Sequence, residues 1–281
     1  MRLAVTGASG FCGAAVARLA ASAGHDVVCL GRRPGPVGAY VRWDAARELP
    51  DLAGADAVVH LAAAVGDPRP GRHVEAAYRA VNVDGTARLL DAARGRPVVW
   101  VSSASVYRPG PYSGPVREDH PVDGQRGAYG RTKAAGERLA LAAGAVVLRP
   151  RAVYGDGDRH LLPRLRRVVR GGYAWLPGAD VAMSLTSVGN LAAACLAAPG
   201  WAAGAYNIAD AAAYRRDEVL GRVLGVPVRH IPAGLARGLA LVSPSLTRYA
   251  VDQLTDGMVL DLARARRQGY VPRLSLTDYL V

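Results

Sequence analysis

Met1-Arg2-Leu3-Ala4-Val5-Thr6-Gly7-Ala8-Ser9-Gly10-Phe11-Cys12-Gly13 opens the chain, and the reading of this stretch decides the fold. Leu3–Thr6 is a short apolar run of strand character, and a helical pattern follows over about Phe11–Ala23. Glycines at 7, 10 and 13 let the backbone between them turn tightly, approach a pyrophosphate and pack the helix against the sheet. The start of that helix offers N–H groups and a partial positive charge to phosphates. Three glycines in a chain with 33 say little alone. A strand before them and a helix behind them give the spacing its meaning. Ser9, Phe11 and Cys12 share the loop and are candidate cofactor contacts, Cys12 as a small packed side chain.

Further apolar runs follow at Asp26–Leu30, Ala57–Leu61, Pro97–Ser102 and Ala145–Arg149. Helical stretches separate them, a long one over roughly His73–Arg94 and another carrying Tyr129 and Lys133. Continuous apolar strands alternating with helices predict an α/β fold, a doubly wound parallel sheet of the Rossmann type covered on both faces. Gly/Pro-punctuated loops are expected over 32–38 and 108–115. Beyond Arg149 the pattern loosens. Short strands (Ala205–Ile208, Val226–His230) are expected among helices near Val188–Ala198, Arg216–Leu224 and Leu260–Arg267. The expected organisation is a dinucleotide-binding domain over 1–150 and a smaller substrate lobe over 151–281, some of whose elements interleave with the core.

The 281 residues suffice for a sizeable core. No apolar run reaches the roughly 20 residues that span a bilayer, and the first residues run straight into a strand, leaving no room for a signal peptide. Cys12, Cys29 and Cys195 are far apart, without metal-ligand spacing. The expectation is a cytoplasmic protein with buried thiols, no metal and no membrane partner. The net charge of +12 raises nucleic acid as a partner. Against it, the arginines are scattered and no recognition motif is visible. The densest cluster, Arg159–Arg170, reads as an amphipathic helix with Leu161, Leu162, Leu165, Val168 and Val169 on its apolar face. No nucleic acid is expected, and the basicity suits an anionic cofactor or substrate.

Lys133 is the chain's single lysine, within Tyr129-Gly130-Arg131-Thr132-Lys133. A bulky planar guanidinium does not replace a compact ammonium that must sit beside a phenol and a sugar hydroxyl. Residues four apart share a helix face, so Lys133 can lie near Tyr129. A free tyrosine titrates near pH 10, and a neighbouring ammonium lowers that value toward useful acid/base chemistry. At the end of the second strand, Leu30-Gly31-Arg32-Arg33 carries no acid to accept from a ribose hydroxyl. Two arginines suit a 2′-phosphate instead. NADP(H) is the expected cofactor, with NAD the less favoured one.

In family order come Thr6–Gly13, Val59-His-Leu-Ala-Ala63, Val81-Asn-Val-Asp-Gly-Thr86, Val101-Ser-Ser-Ala-Ser-Val-Tyr107, Tyr129–Lys133 and Leu148-Arg-Pro-Arg-Ala-Val-Tyr-Gly155. Together they resemble the extended short-chain dehydrogenase/reductases, the NAD(P)-dependent epimerase/dehydratase superfamily, over essentially the whole chain. The resemblance implies Tyr129 as acid/base, Lys133 also holding the nicotinamide ribose, and Ser103 bonded to the reacting oxygen. Ser102 is the rival for that last part, and Tyr107 a second phenol without a lysine four residues on. It also implies Asp44, Leu61, Ala62, Ala63, Asn82 and Pro150 along the cofactor, with Asn82 equally readable as a helix-interior polar residue. Departures narrow the reaction. Ala104-Ser105 replaces the Asp-Glu pair of the sugar-nucleotide dehydratases and, at 104, the cysteine of 3,5-epimerase-reductases; Ala152 replaces an asparagine that helps hold a diphosphate.

The second half looks like the 3β-hydroxysteroid dehydrogenase and dihydroflavonol-reductase branch, through Gly155–Arg164, Leu185–Ala192, Ala205–Asp210 and Ala265–Arg273. There Asn190 is read as a helix cap and Tyr270-Val-Pro as closing the lobe. The expectation is an NADPH-dependent ketoreductase or alcohol dehydrogenase on a mostly apolar small molecule, an intermediate of bacterial secondary metabolism. A nucleotide-sugar 4-ketoreductase or 4-epimerase is the alternative, and a non-catalytic NADP-sensing protein the second. A homodimer through the His73–Arg94 and Tyr129–Ala143 helices is the assembly the resemblance suggests.

Overall fold

The computed structural model describes residues 1–66, 71–158, 166–242 and 247–279. Strand β1 (Arg2–Thr6) lies inside a seven-stranded sheet, paired in parallel with β2 (Asp26–Gly31) and β4 (Ala57–His60). Outward lie β3 (Ala39–Arg42) on one side, and β5 (Val98–Val101), β6 (Val146–Pro150) and the Gly204–Ile208 strand on the other. All pairings are parallel. The chain fills the sheet in one direction from β1 to β3 and then, from β4, in the other. Such a reversal opens a crevice at the carboxyl ends of the strands, the place where this architecture binds ligands.

Alternate residues serve the two faces. Leu3, Val5, Val59, Val99 and Leu148 share one core layer with Val16 and Ala20 of α1 (Phe11–Ser22). Ala4, Val58, Trp100 and Val147 share the other with Leu89 and Ala140. Both layers are buried, so the apolar strand runs and the doubly wound reading agree with the structure.

Several expectations change in detail. The 73–94 helix is two helices, α2 (Arg72–Arg79) and α3 (Gly85–Ala92), joined by a π-helical turn at Ala80–Asp84. Glycines show why the chain needs that geometry. A Cβ at Gly85 would sit 2.5 Å from the Ala45 carbonyl oxygen, and one at Gly136 would overlap the Asn82 carbonyl oxygen. Helix α4 (Ala128–Ala142) therefore lies hard against the π turn. Strand β3 was hidden because its residues are mostly exposed at the sheet edge and carry no apolar run. Of the Arg159–Arg170 helix, residues 159–165 lie outside the described residues; the rest is a 3-10 turn at Arg166–Val168 and a strand at Val169–Arg170. The Leu260–Arg267 helix shortens to Ala263–Arg267, because Leu260 forms a parallel bridge with Val116.

The second half returns to the first twice. The Val188–Ala197 helix packs on α1, and Gly204–Ile208 extends the sheet beside β6. Asn190 is not the helix cap, a part taken by Ser187. Its amide instead donates to Asp210 at 2.7 Å and to the Leu274 carbonyl, and accepts from Arg273 and Leu274. Asp210 also accepts from Tyr154, Tyr214 and the Ser187 N–H, tying the lobe's small strands to the C-terminal segment. The Tyr270 hydroxyl donates to the Ala209 carbonyl at 2.8 Å, which closes the lobe onto the sheet. Among the described residues no helix is long and apolar enough to cross a membrane.

The Gly136 contact makes a prediction against propensity. Helix propensity alone forecasts a gain of about 1 kcal/mol for Gly→Ala inside a helix. Gly136→Ala is expected to lose about 1–3 kcal/mol through overpacking, measured by denaturant unfolding. A stabilised variant would show that α4 and the π turn are not in hard contact.

Candidate active site

The glycine loop is built around backbone approach. Gly7 has φ +70°, and a Cβ on it would sit 2.8 Å from the Ala62 nitrogen; one on Gly13 would overlap the Gly7 carbonyl oxygen. Gly10 caps α1 without a side chain, and no acid occupies the first turn. The first-turn N–H groups thus have no side-chain cap at the crevice, and the cradle fits a dinucleotide pyrophosphate. Ser9 is exposed, and Phe11 is half-buried. Burial, reinforced by the charge of Asp158, pushes the Cys12 thiol up to about 12, so it is an inert packed side chain.

Thr6, at the last residue of β1, faces His60, at the last residue of β4. Its hydroxyl oxygen accepts from the Leu61 and Ala62 N–H groups, both at 3.1 Å, and lies 2.8 Å from His60 Nδ1. An oxygen that accepts two N–H bonds has its own proton left for the imidazole, which assigns the Nε2–H tautomer to His60. That ring is edge-on to Trp43 and stacked toward Trp100. Burial first, then the charge of Lys133, pushes its pKa down to about 3, and His60 stays neutral.

Arg32 and Arg33 are both exposed just beyond the end of β2. Asp44 lies past β3 as a turn residue: its carboxylate accepts from Ala46 N at 3.0 Å, and its N–H donates to Glu48. Leu61, Ala62 and Ala63 follow β4 and are half-buried, Ser103 follows β5, and Pro150 ends β6. The sheet therefore gathers the glycine loop, the arginine pair, 61–63, Ser103 and Pro150 at one edge. Asn82 belongs beneath that edge. Its carboxamide accepts from Ala64 N at 2.8 Å and donates to the Ala64 carbonyl and to Thr132 Oγ1, both at 3.0 Å. It clamps the loop after β4.

The two serines part company. Ser102 is buried, and its hydroxyl donates to Glu137 at 2.5 Å; Glu137 in turn holds Arg149 in a buried ion pair. Ser103 is half-buried, caps the 3-10 turn at Ala104–Val106 and donates to Ser105 Oγ at 3.1 Å. Of the pair, Ser103 is the less buried. Tyr107 is no acid/base group. Its hydroxyl donates to Asn207 at 2.6 Å and accepts from Arg149, and burial pushes its pKa up to about 12.

Tyr129 is half-buried in the first turn of α4, and Lys133 is one turn further on. Lys133 is 2 % exposed; its Nζ donates to the Val101 carbonyl at 2.7 Å and lies 3.6 Å from the centroid of the Trp100 ring. Burial pushes the ammonium down to about 7, opposed by the negative charge of Glu137. Thr6, His60, Trp100 and the Glu137–Arg149 pair were not legible as site residues, because each reads in sequence as strand or helix filler.

A narrow cavity near the site is lined by Pro109, Tyr112, Arg126, Arg151, Asp252, Gln253 and Asp256. Its lining is mixed, with charged side chains beside Pro109 and Tyr112. Its arginines, however, have protein partners: Arg126 pairs with Asp252, and Arg151 donates to Gln253 at 3.3 Å.

The comparisons agree with this geometry. Residues 3–209 match the model of the NAD dependent epimerase/dehydratase family. The 2-alkyl-3-oxoalkanoate reductase of Stenotrophomonas maltophilia is 31% identical, over 100% of this chain and 97% of its own. A ketoreductase of Stigmatella aurantiaca acting on 4-hydroxy-2-methyl-3-oxo-4-farnesyl-3,4-dihydroquinoline-1-oxide is also 31% identical, over 90% of this chain and 83% of its own. Among solved structures, MoeE5 in complex with UDP-glucuronic acid and NAD superposes with a TM-score of 0.78 at 26% identity, covering 100% of this chain and 96% of that one. With a Rossmann sheet, a glycine cradle and a tyrosine–lysine turn at its mouth, the chain belongs to the NAD dependent epimerase/dehydratase family of NAD(P)-dependent enzymes.

Proposed function

We propose that the protein is an NADPH-dependent ketoreductase, reducing a carbonyl on a small molecule with a substantial apolar part. The observation that carries the reading is the single lysine of the chain, buried one turn after Tyr129 with its amine on the Val101 carbonyl at the end of β5. NADPH supplies the hydride when bound. Tyr129 holds the proton that the carbonyl oxygen needs as it becomes an alcohol, and a nearby ammonium favours the phenolate left behind. Ser103, rather than the sequestered Ser102, donates a hydrogen bond to that oxygen. The glycine cradle orients the dinucleotide, and neighbouring dry core layers exclude water beneath it.

Two relatives support the substrate class, since the reductase takes an alkyl-substituted 3-oxoalkanoate and the ketoreductase a farnesylated ring. The likeness to a structure holding a UDP-sugar and NAD favours the nucleotide-sugar alternative. Against it stand Ala152 and the engagement of Arg126 by Asp252. The NADP preference rests on Arg32 and Arg33, exposed where a 2′-phosphate would lie.

Tyr129→Phe is expected to keep NADPH binding and to lower ketone reduction by roughly 100-fold or more, followed by NADPH absorbance and equilibrium binding. Persistent turnover would remove Tyr129 from the chemistry. A purified wild type that binds NADPH yet turns over no ketone would favour the sensing alternative. Arg32→Ala with Arg33→Ala should weaken NADPH binding by roughly tenfold or more, as loss of charged phosphate contacts costs, with NADH little changed. Equal losses would point to NAD.

Lys133→Met separates function from stability. Between pH 7 and the solution value of lysine, the unfolded chain binds a proton that the folded protein has released, so stability rises with pH across that window. Below pH 7 folding must bury the ammonium. The variant is therefore expected to be inactive yet more stable at pH 6–7 by about 1–3 kcal/mol, the gap narrowing toward pH 10. Denaturant unfolding at both pH values checks this; a destabilised variant at pH 6 would contradict it.

A further inference from the structure

Lys133 sits in an unusual place for a charge. Trp100, fully buried at mid-strand in β5, presents its ring face 3.6 Å below the ammonium. The indole itself is anchored. Its Nε1–H donates to Thr86 Oγ1 at 3.2 Å, and the Thr86 hydroxyl donates to the Asn82 carbonyl oxygen at 2.9 Å. Asn82 is the residue of the π turn that clamps Ala64 and bonds Thr132, next to Lys133. A closed loop of contacts thus runs from the π turn through Thr86 and Trp100 to the lysine and back along α4.

We infer that Trp100 is a positioning residue for Lys133, its ring face holding the ammonium at the carboxyl end of β5 and keeping it charged in a dry setting. The ring acts beside two other groups that favour the charge, the Glu137 carboxylate and the Val101 carbonyl. His60, from β4, is neutral and offers no counter-charge. Glu137, on α4, is the nearest acid that favours the ammonium, but Arg149 of β6 pairs with it and Ser102 donates to it. Tyr129 precedes by one turn. The Val101 carbonyl supplies one hydrogen bond of the three that an ammonium can donate. A desolvated cation over an indole face gains more than at an exposed site. An aliphatic side chain at position 100 would keep the strand apolar but offer the ammonium no ring face, and would leave part of the core unfilled.

The inference concerns a charge state, and its catalytic consequence rests on the function proposed above. Because the chain has one lysine, protein grown with [13Cε]lysine yields a single side-chain resonance that titrates with Lys133 alone. Trp100→Leu should lower the apparent pKa of that resonance by about one unit, and Trp100→Phe by less, following the ranking of rings as cation hosts. Should Trp100→Leu fail to fold, uniform 5-fluoro- and 5,7-difluorotryptophan labelling weakens the ring face with little change of volume. A stepwise fall of the lysine pKa with fluorination is then expected. An unchanged or rising pKa in the leucine variant or across the fluorinated series overturns the inference. The upper pH limb of ketone reduction should move with the resonance. If the resonance moves and the limb does not, Trp100 keeps its place and the role proposed for Lys133 in turnover falls.

Discussion

One hydroxyl holds the crevice in shape. Where β1 and β4 run side by side and the chain departs in opposite directions, their carboxyl ends leave backbone N–H groups facing a gap. Thr6 Oγ1 accepts two of them and gives its proton to His60. The same N–H groups belong to Leu61 and Ala62, and Ala62 is the residue that a side chain on Gly7 would strike. The glycine loop, the loop after β4 and the imidazole are thereby locked into one unit. Asn82 fixes the far end of that loop at Ala64. Hydrogen bonds within the protein hold these loops, so the surface at the strand ends is ordered by the fold itself.

Beneath that surface the protein tolerates unfavourable electrostatics. An ammonium, a neutral histidine and a carboxylate–guanidinium pair all lie in the dry layer under the crevice. A buried ion pair is weak evidence of stability, since desolvation consumes much of its attraction. Here the Glu137–Arg149 pair does something more specific. It captures Ser102, supports Tyr107 through Arg149, and leaves Ser103 as the less buried serine. Adjacent serines are thus held by different partners, one by a carboxylate and one by a neighbouring hydroxyl.

The sequence was most informative where residue type and period coincide. The parallel sheet was legible because β1, β4, β5 and β6 are buried on both faces and read as unbroken apolar runs. The edge strand β3 was not, since exposed Ala39, Tyr40 and Arg42 leave no run to see. The π turn was invisible for a different reason. A single helical period describes 73–94 adequately, and the close packing of the turn against Ala45 and Gly136 involves residues distant in sequence. In the site, Tyr129, Lys133 and the glycine loop stood out through spacing and through the scarcity of lysine. Trp100 did not, because an aromatic among valines in a strand looks like core, which it also is. Asn190 was misassigned for want of its partners, Asp210 and the Arg273–Leu274 backbone, which lie 20 to 84 residues away.

Burying the only lysine has an outward effect. Every cationic side chain on the exterior other than histidine is a guanidinium, which keeps its charge to pH values where an ordinary lysine-bearing surface has gone neutral. The cationic share of the long-range attraction that the molecule exerts on anions therefore persists across the alkaline range. Acylating agents, which erase charge from amines, find no lysine side chain outside to silence. The guanidinium charges outside hold steady while the one lysine titrates privately, buried beneath them.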